Sequence, residues 1–320
     1  MKSYESFIVK EYVGQTLIGY LNKKFPYHTQ SEWEELIDLG RVLIAGKKAS
    51  AEQLLLLNDR LTYIPIPGRI QEPEVDTEYV VVADHDEVLY VSKPPNLPIH
   101  PAGRYRTKTL LNFLERTYSG ILPVHRIDRE TSGLVLFAKT KDAHLHYQKL
   151  FEDRKIKKEY LAIVVGRFDK PGIVTGYIGK DLKSEIRKKQ IFQLEEFESA
   201  KYSETEFLHI DYNTELNLSL ILIRPKTGRI HQIRASLLFL GYPILGDKLY
   251  GKREAAFIDF INFGETEELL KELVHRRQAL HSYSVSFADR SGEVHNIRVP
   301  LHKDLCHYFP NWLQTMSQNL

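Results

Sequence analysis

Residues 133–138, Gly-Leu-Val-Leu-Phe-Ala, are an uninterrupted apolar run, and five of the six residues 125–130 immediately ahead of them are titratable. A run with no polar alternation is the pattern of a strand buried on both faces. Such a strand needs other elements packed against each side. The polar stretch His125-Arg126-Ile127-Asp128-Arg129-Glu130 cannot follow it into the interior, so it must project as a loop from the strand's start. One feature therefore demands a covered sheet with a charged loop anchored at its centre.

The surrounding chain supplies the covering elements. Val88–Val91 reads as a strand running into Lys93-Pro94-Pro95, Thr109–Tyr118 as a helix and Asp142–Phe151 as another. Tyr160–Val165 and Leu216–Ile223 read as strands, and His231–Leu240 as a helix. Strands and helices alternate irregularly, which predicts an α+β fold with a mixed sheet and not a doubly wound parallel one. No G-x-G-x-x-G or P-loop occurs, which argues against a nucleotide cofactor. The longest aliphatic runs, such as Leu54–Leu57, fall far short of the roughly 18 residues that span a bilayer. The first residues carry Lys2, Glu5, Lys10 and Glu11 with no apolar core of a signal, so a soluble, cytoplasmic protein with no membrane association is expected. A single cysteine, Cys306, excludes an internal disulfide, and its setting, HKDLCHYFP, reads as a polar loop.

The 320 residues allow a large domain and a small one. We expect domains at 1–70 and 79–320, joined by a polar linker at 71–78. In the first, Val13, Leu17, Tyr20 and Leu21 repeat at helical spacing, and Trp33, Leu36, Ile37 and Leu39 mark a second helix ending at Gly40. Arg41–Lys48 and Leu61–Ile66 form a small hairpin-like pair, stopped by Pro67-Gly68. From these residues alone the unit reads either as a structural cap or as a binding module.

Three segments carry candidate chemistry. Asp128 lies between Arg126 and Arg129, which favour its ionised form, and an oriented carboxylate suits covalent or base catalysis. The same composition also fits a salt-bridged turn before a strand. Arg224–Arg234, RPKTGRIHQIR, places Arg224, Lys226, Arg229 and Arg234 in eleven residues without an acid. A helix starting near His231 adds free N–H groups, so four cations on one corner suit a polyanion. Tyr160 heads a strand after the basic lead-in Arg154–Lys158, where a rim position in the core or a base-stacking role are both open. His144 and His146 cannot face one way on a helix, so no metal site is expected.

Together these segments resemble the RluA-type pseudouridine synthases. The family motif H-R-L-D-x-x-T-S-G-L-L-L-x-A-K is matched by His125–Lys139, with Ile127 in place of Leu. The motif T-G-R-x-H-Q-I-R is matched by Thr227–Arg234, and L-G-x-P-I-x-G-D-x-x-Y-G by Leu240–Gly251. Lys158 and Tyr160 match K-x-Y, SKPPNLPIHP at 92–101 echoes K-P-x-G-L-x-V-H-P, and Leu280-His281 echoes L-H-A. Residues 1–70 resemble the S-four-like RNA-binding domain, through LIDLGRVLIAGKKA and LNDRLTYIPI.

The resemblance implies a catalytic domain with a mixed, mainly antiparallel central sheet flanked by helices, beside a small α/β RNA-binding domain. It implies an isomerase that converts uridine to pseudouridine in structured RNA, ribosomal RNA of the large subunit first and transfer RNA as the alternative. Asp128 is then the nucleophile, Arg234 its ion-pair partner, and Tyr160 the ring that packs on the flipped uracil and an acceptor for the proton on carbon 5. Arg126 fills the gap left by the base, while Arg41, Lys47, Lys48, Arg224, Lys226, Arg229 and His231 contact RNA. No cofactor, metal or obligate protein partner is implied. Two competing classes remain from the residues themselves: a non-catalytic RNA-binding protein, and a hydrolase using Asp128 with His125.

Overall fold

Two threonines open the first helices of the computed structural model, which describes residues 3–25, 28–66, 72–251 and 253–319. Thr16 accepts the Gly19 N–H to start α1 (Leu17–Lys24). Thr29 accepts the Glu32 N–H, and the Glu32 carboxylate accepts the Thr29 N–H in return, to start α2 (Gln30–Asp38). The helices share a core with a four-stranded antiparallel sheet in the order β1-β4-β2-β3. Its strands are β1 (Tyr4–Phe7), β2 (Val42–Ile44), β3 (Lys47–Lys48) and β4 (Arg60–Tyr63). Leu17, Tyr20 and Leu21 meet Trp33, Leu36, Val42 and Leu61 in that core. The helical spacing therefore identified both helices; β1, half-buried at alternate residues, carries too weak a pattern to be read.

The chain divides into two units, Met1–Glu74 with Pro101–Lys108, and Val75–His100 with Thr109–Leu320. The expected stop at Pro67-Gly68 and the domain junction at residues 70–71 lie outside the described residues. From Glu72 to Glu78 there is no regular structure, yet Glu72 is held: its carboxylate accepts the N–H groups of Thr107 and Lys108 at 2.8 Å.

The second unit is built on an eleven-stranded sheet. It takes β5 (Val80–Asp84), β6 (Val88–Lys93), β7 (Leu122–Pro123) and β8 (Ser132–Ala138) from the first part of the unit. β9 (Lys157–Val165), β10 (Gly172–Lys180), β11 (Gln190–Gln193), β12 (Lys201–Asn213) and β13 (Leu218–Pro225) follow. β14 (Leu280–Ala288) and β15 (Val294–Arg298) complete it. The order is β11-β10-β12-β13-β9-β14-β8-β6-β5, with β15 on β14 and β7 on β8. Only β14 and β8 run parallel, so the sheet is mixed and mainly antiparallel, as expected. Around it lie α3 (Leu110–Leu114), α4 (Lys141–Glu152), α5 (Gln232–Leu240), α6 (Ala255–Phe263), α7 (Glu267–Leu273), α8 (Lys303–Cys306) and α9 (Trp312–Asn319). Among the described residues, no helix is long and apolar enough to cross a membrane.

All seven residues of β8 are buried. Leu134, Leu136 and Ala138 enter one core with Tyr147 of α4, and Val135 and Phe137 enter another with Leu110 and Leu114 of α3. The continuous apolar run is thus a strand feeding two cores by alternation. Several elements, among them β5, β10, β11 and β15, are absent from the sequence reading, and three departures have an identifiable cause. α3 closes at Leu114 and continues as turns to Tyr118, instead of running as one helix. β12 escaped detection because its inward face includes the buried polar residues Ser203 and Thr205. Cys306 lies at the end of α8, not in a polar loop, because Leu305, Tyr308 and Phe309 turn that segment onto the main core.

β8 and β14 approach very closely at Gly133, whose φ is +105°. A Cβ there falls 2.2 Å from the Ser282 carbonyl oxygen, which is backbone and cannot rotate away. Gly133→Ala is therefore expected to destabilise the protein by at least about 2 kcal/mol through combined strain and overpacking. Thermal unfolding reads this as a fall of roughly 4 °C or more; an unchanged melting temperature contradicts it.

Candidate active site

The loop that enters β8 is held by two buried basic side chains. Lys93, fully buried at the end of β6, donates to the carbonyls of Pro94 and Arg129 at 2.8 and 2.9 Å. Arg277, just ahead of β14, donates to the Glu130 carbonyl at 3.2 Å, and its other nitrogens fork onto Asp304 at 2.7 Å. The loop closes on itself where the Thr131 N–H meets the Asp128 carbonyl. Its tip therefore has little freedom, and the tip carries Asp128.

Asp128 faces Arg234 of α5. Oδ2 accepts from Arg234 Nη1 at 2.7 Å and from Gln278 Nε2 at 3.3 Å, while His231 Nε2 stands 4.0 Å from Oδ1. Arg234 turns its other edge to Asp247, with Nε and Nη2 donating to the two carboxylate oxygens at 2.7 and 2.8 Å. Asp247 has no exposed side-chain surface, and it also accepts the N–H groups of Leu249 and Tyr250. The Tyr250 ring lies 4.8 Å from the guanidinium, and its hydroxyl shares a hydrogen bond with His231 Nδ1. The result is a row, Asp247–Arg234–Asp128, that is buried at one end and open at the other: 33% of the Asp128 side chain reaches solvent.

The charges follow from this geometry. Burial pushes the Asp128 carboxyl up, but the charge and hydrogen bond of Arg234, together with His231 and the Gln278 amide, outweigh it and hold the group below the usual carboxylate range. Arg234 stays charged because two carboxylates overcome the cost of its burial. Burial, then Arg234, pushes His231 down to about 4, so this ring is neutral at pH 7 and leaves Arg234 as the cation at Asp128. Tyr160, paired across β9 and β14 with Ser282, is pushed up to about 12 by burial, with the Asp128 charge adding to the rise. A protonated ring thus borders an ionised carboxylate.

Several sequence-level expectations change here. Asp128 is not paired by its chain neighbours: Arg129 turns to Asn96 and Glu130, and Arg126 is exposed with no ion pair among the described residues. Side chains adjacent in a loop diverge, so proximity in sequence misassigned the cation. The basic stretch 224–234 does not gather on one corner either. Arg224 pairs with Glu159 at 2.9 Å, Lys226 with Glu206 at 3.7 Å, and Arg229 donates to the Tyr202 carbonyl, while Arg234 points inward. His231 stands at the start of α5 with φ +56°. His125 accepts the Leu136 N–H and is not joined to Asp128, which removes the pairing a hydrolase requires. In the N-terminal unit, Lys48 donates to the Asp38 carbonyl, Lys47 is exposed and Arg41 is half-buried.

Asp247, Gln278, Lys93 and Arg277 were not singled out from sequence. Asp247 lay within a quoted motif but nothing local marked it as a second partner for Arg234. Gln278 is a neutral amide with no charge signal. Among the described residues, the grouping of three metal-type donors, Asp289, Glu293 and His295, lies in the β14–β15 turn and the start of β15, where Asp289 already pairs with His295 at 3.1 Å.

The model of the RNA pseudouridylate synthase family matches residues 87–238. A ribosomal large-subunit pseudouridine synthase C of Buchnera aphidicola is 30% identical, over 97% of this chain and 96% of that protein. The mitochondrial tRNA pseudouridine(32) synthase of Saccharomyces cerevisiae is 28% identical, over 79% of this chain and 54% of that protein. The structure of human RNA pseudouridylate synthase domain containing 1 superposes with a TM-score of 0.58 at 22% identity, covering 77% of this chain and 98% of that one, which shows the shared fold. The chain spans about half the length of several curated relatives it matches. It belongs to the RNA pseudouridylate synthase family, and the RluA-type resemblance is borne out.

Three histidines tie this region to pH. Burial pushes His125 and His281 down to about 3, beside His231 at about 4. The unfolded chain protonates these rings near 6.5, so it binds more protons than the folded chain between about 4 and 6.5. Stability therefore falls as pH drops through that window, by about 1.4 kcal/mol per pH unit for each ring. His281→Gln is expected to remove about one ring's share of the slope in denaturant unfolding at pH 4.5, 5.5 and 6.5; an unaltered slope contradicts the account.

Proposed function

We propose that this chain converts uridine to pseudouridine in structured RNA, with Asp128 as the catalytic nucleophile. The observation that supports this reading best is the ionised, solvent-facing Asp128, oriented by an arginine whose far side is locked by Asp247. The reaction breaks the N1–C1′ bond, joins C5 to C1′, takes a proton from C5 and returns one to N1. Nothing is oxidised or consumed, so the proposal needs no cofactor or metal. Asp128 provides the nucleophile that helps detach uracil, and Arg234 keeps it charged and aimed.

Tyr160 packs on the extruded uracil; its phenol, pushed up to about 12, supports this role over removal of the C5 proton. Extrusion costs a few kcal/mol, least in loops and bulges, which favours structured but weakly paired RNA. Arg126, exposed on the loop before Asp128, fills the space the base leaves. Arg229 and His231 contact the RNA near the site, with Arg224 and Lys226 further along it. Large-subunit ribosomal RNA is the first substrate class in this proposal and transfer RNA the alternative. The N-terminal unit acts as an S-four-like RNA-binding module through Arg41, Lys47 and Lys48. Cytoplasmic residence belongs to the same proposal, supported by the one unpaired, partly buried cysteine.

Asp128→Asn preserves size and polarity but removes the anion. Pseudouridine formation, read by carbodiimide treatment and primer extension, is expected to fall by at least about 10³-fold, with RNA affinity changed only a few fold. Turnover by the Asn protein at a comparable rate contradicts the assignment. For the N-terminal module, deletion of residues 1–70 is expected to weaken binding of long RNA and to flatten its salt dependence by about 0.7–0.9 per lost phosphate contact. An unchanged salt slope contradicts that role.

A further inference from the structure

Strand alternation separates two polar surfaces of the sheet. Ile223 of β13 and Ser282 of β14 both pair with Tyr160 and share its face. The next positions, Glu159 of β9 and Arg224 of β13, therefore lie on the opposite face. After the bulge in β14, Ser284 pairs with Glu159 and Ser286 with Lys157. Arg298 and Asn296 of β15 stand beside Ser284 and Ser286 in turn. All of these belong to the face away from Tyr160.

A cavity of about 450 Å³ opens there. Arg154, Lys157, Arg224, Lys226 and Arg298 line it, with Lys158 at its edge. The acids in the lining are Glu159 and Glu204, and Lys158 lies by alternation on the Tyr160 face, so five cations face two carboxylates in a protein with a net charge of only +2. Glu159 is already occupied: Arg224 Nε donates to it at 2.9 Å and the Ser284 hydroxyl at 2.8 Å. Glu206 lies near Arg224 and Lys226 at 3.8 and 3.7 Å. Among the described residues, Arg154, Lys157 and Arg298 make no ion pair. The floor offers the hydroxyls of Ser284 and Ser286 and the amide of Asn296, and among the described residues no aromatic ring lines the cavity. Without a ring there is nothing to stack a base, so these groups suit phosphate and sugar.

We propose that this cavity is a second phosphate site, which holds the backbone of bound RNA on the sheet face opposite Tyr160. The inference rests on the reading of the chain as an RNA-modifying enzyme and adds a track for the strand beyond the reacting nucleotide. The cations come from the turn after α4, from β9, from the end of β13 and from β15, a spread that fits a chain of phosphates better than a single small anion.

The test uses the full chain and a fluorescein-labelled oligouridylate of about 20 nucleotides, read by anisotropy across a salt series. The double variant Arg154→Gln/Lys157→Gln is expected to bind roughly fivefold more weakly, with a log–log salt slope shallower by about 1.4, or 0.7 for each lost contact on single strands. Lys157→Gln/Arg298→Gln provides a second pair with the same expectation, and melting curves confirm that both remain folded. Wild-type binding with unchanged affinity and slope in both variants overturns the proposal alone. A wild-type protein that binds no RNA overturns both the proposal and the RNA reading beneath it. Calorimetry with inorganic pyrophosphate separates the sources: loss of pyrophosphate binding without any loss of RNA affinity assigns the cavity to a small anion and rejects the RNA track.

Discussion

Arg234 stands between two carboxylates, and the arrangement around Asp128 depends on it. A buried guanidinium is costly to desolvate, and only a well-formed partner offsets that cost. Asp247 is that partner: it meets two nitrogens at 2.7 and 2.8 Å, and its own oxygens accept two backbone N–H groups. With one edge committed inward, Arg234 has a single nitrogen, Nη1, directed at Asp128. The direction of that remaining bond sets where the open carboxylate points. Removing one partner from a buried pair of this kind costs about 3–5 kcal/mol, so Asp247 carries more of the site than its distance from solvent suggests.

The sheet supplies the second half of the constraint. Gly133 brings β8 against β14, which sets the loop carrying Asp128 beside the segment carrying Arg277 and Gln278. Lys93 and Arg277 hold the loop carbonyls, and Gln278 bridges Asp128 to the Thr131 hydroxyl. These contacts involve backbone oxygens and a neutral amide, so they position the loop without neutralising Asp128. The one strong cation at the carboxylate remains Arg234, and this combination keeps the group both ionised and partly open to solvent.

Much of this was legible in the amino-acid sequence, for identifiable reasons. Continuous apolar runs mark strands such as β8, whose two faces are both covered, and helical spacing marks α1, α2, α4 and α5. The order of the long motifs carried the family, and with it Asp128, Tyr160 and Arg234. Strands with polar inward faces were not legible, because Ser203 and Thr205 of β12 erase the alternation on which strand reading relies. The partner of Asp128 was legible only through the family resemblance, which implied Arg234, and not from the charges beside it in the chain. Arg129 is adjacent to Asp128 in the chain but turns to Asn96, whereas Arg234 lies 106 residues away and closes the pair. Charge counting also failed in the 224–234 stretch, since alternation and the turn into α5 send its cations in different directions. Gln278 and Asp247 became visible only when the fold brought distant segments together.

The central claim is that the Asp247–Arg234 clamp keeps Asp128 ionised in a partly enclosed site. Carbon-13 NMR titration of the Asp128 carboxyl, in the wild-type protein and in Asp247→Asn, tests it most directly. The account predicts a wild-type midpoint below the ordinary aspartate value of about 3.9 and a rise in that midpoint when Asp247 is neutralised and Arg234 loses its anchor. A wild-type midpoint at or above about 3.9, or one indifferent to Asp247→Asn, contradicts it.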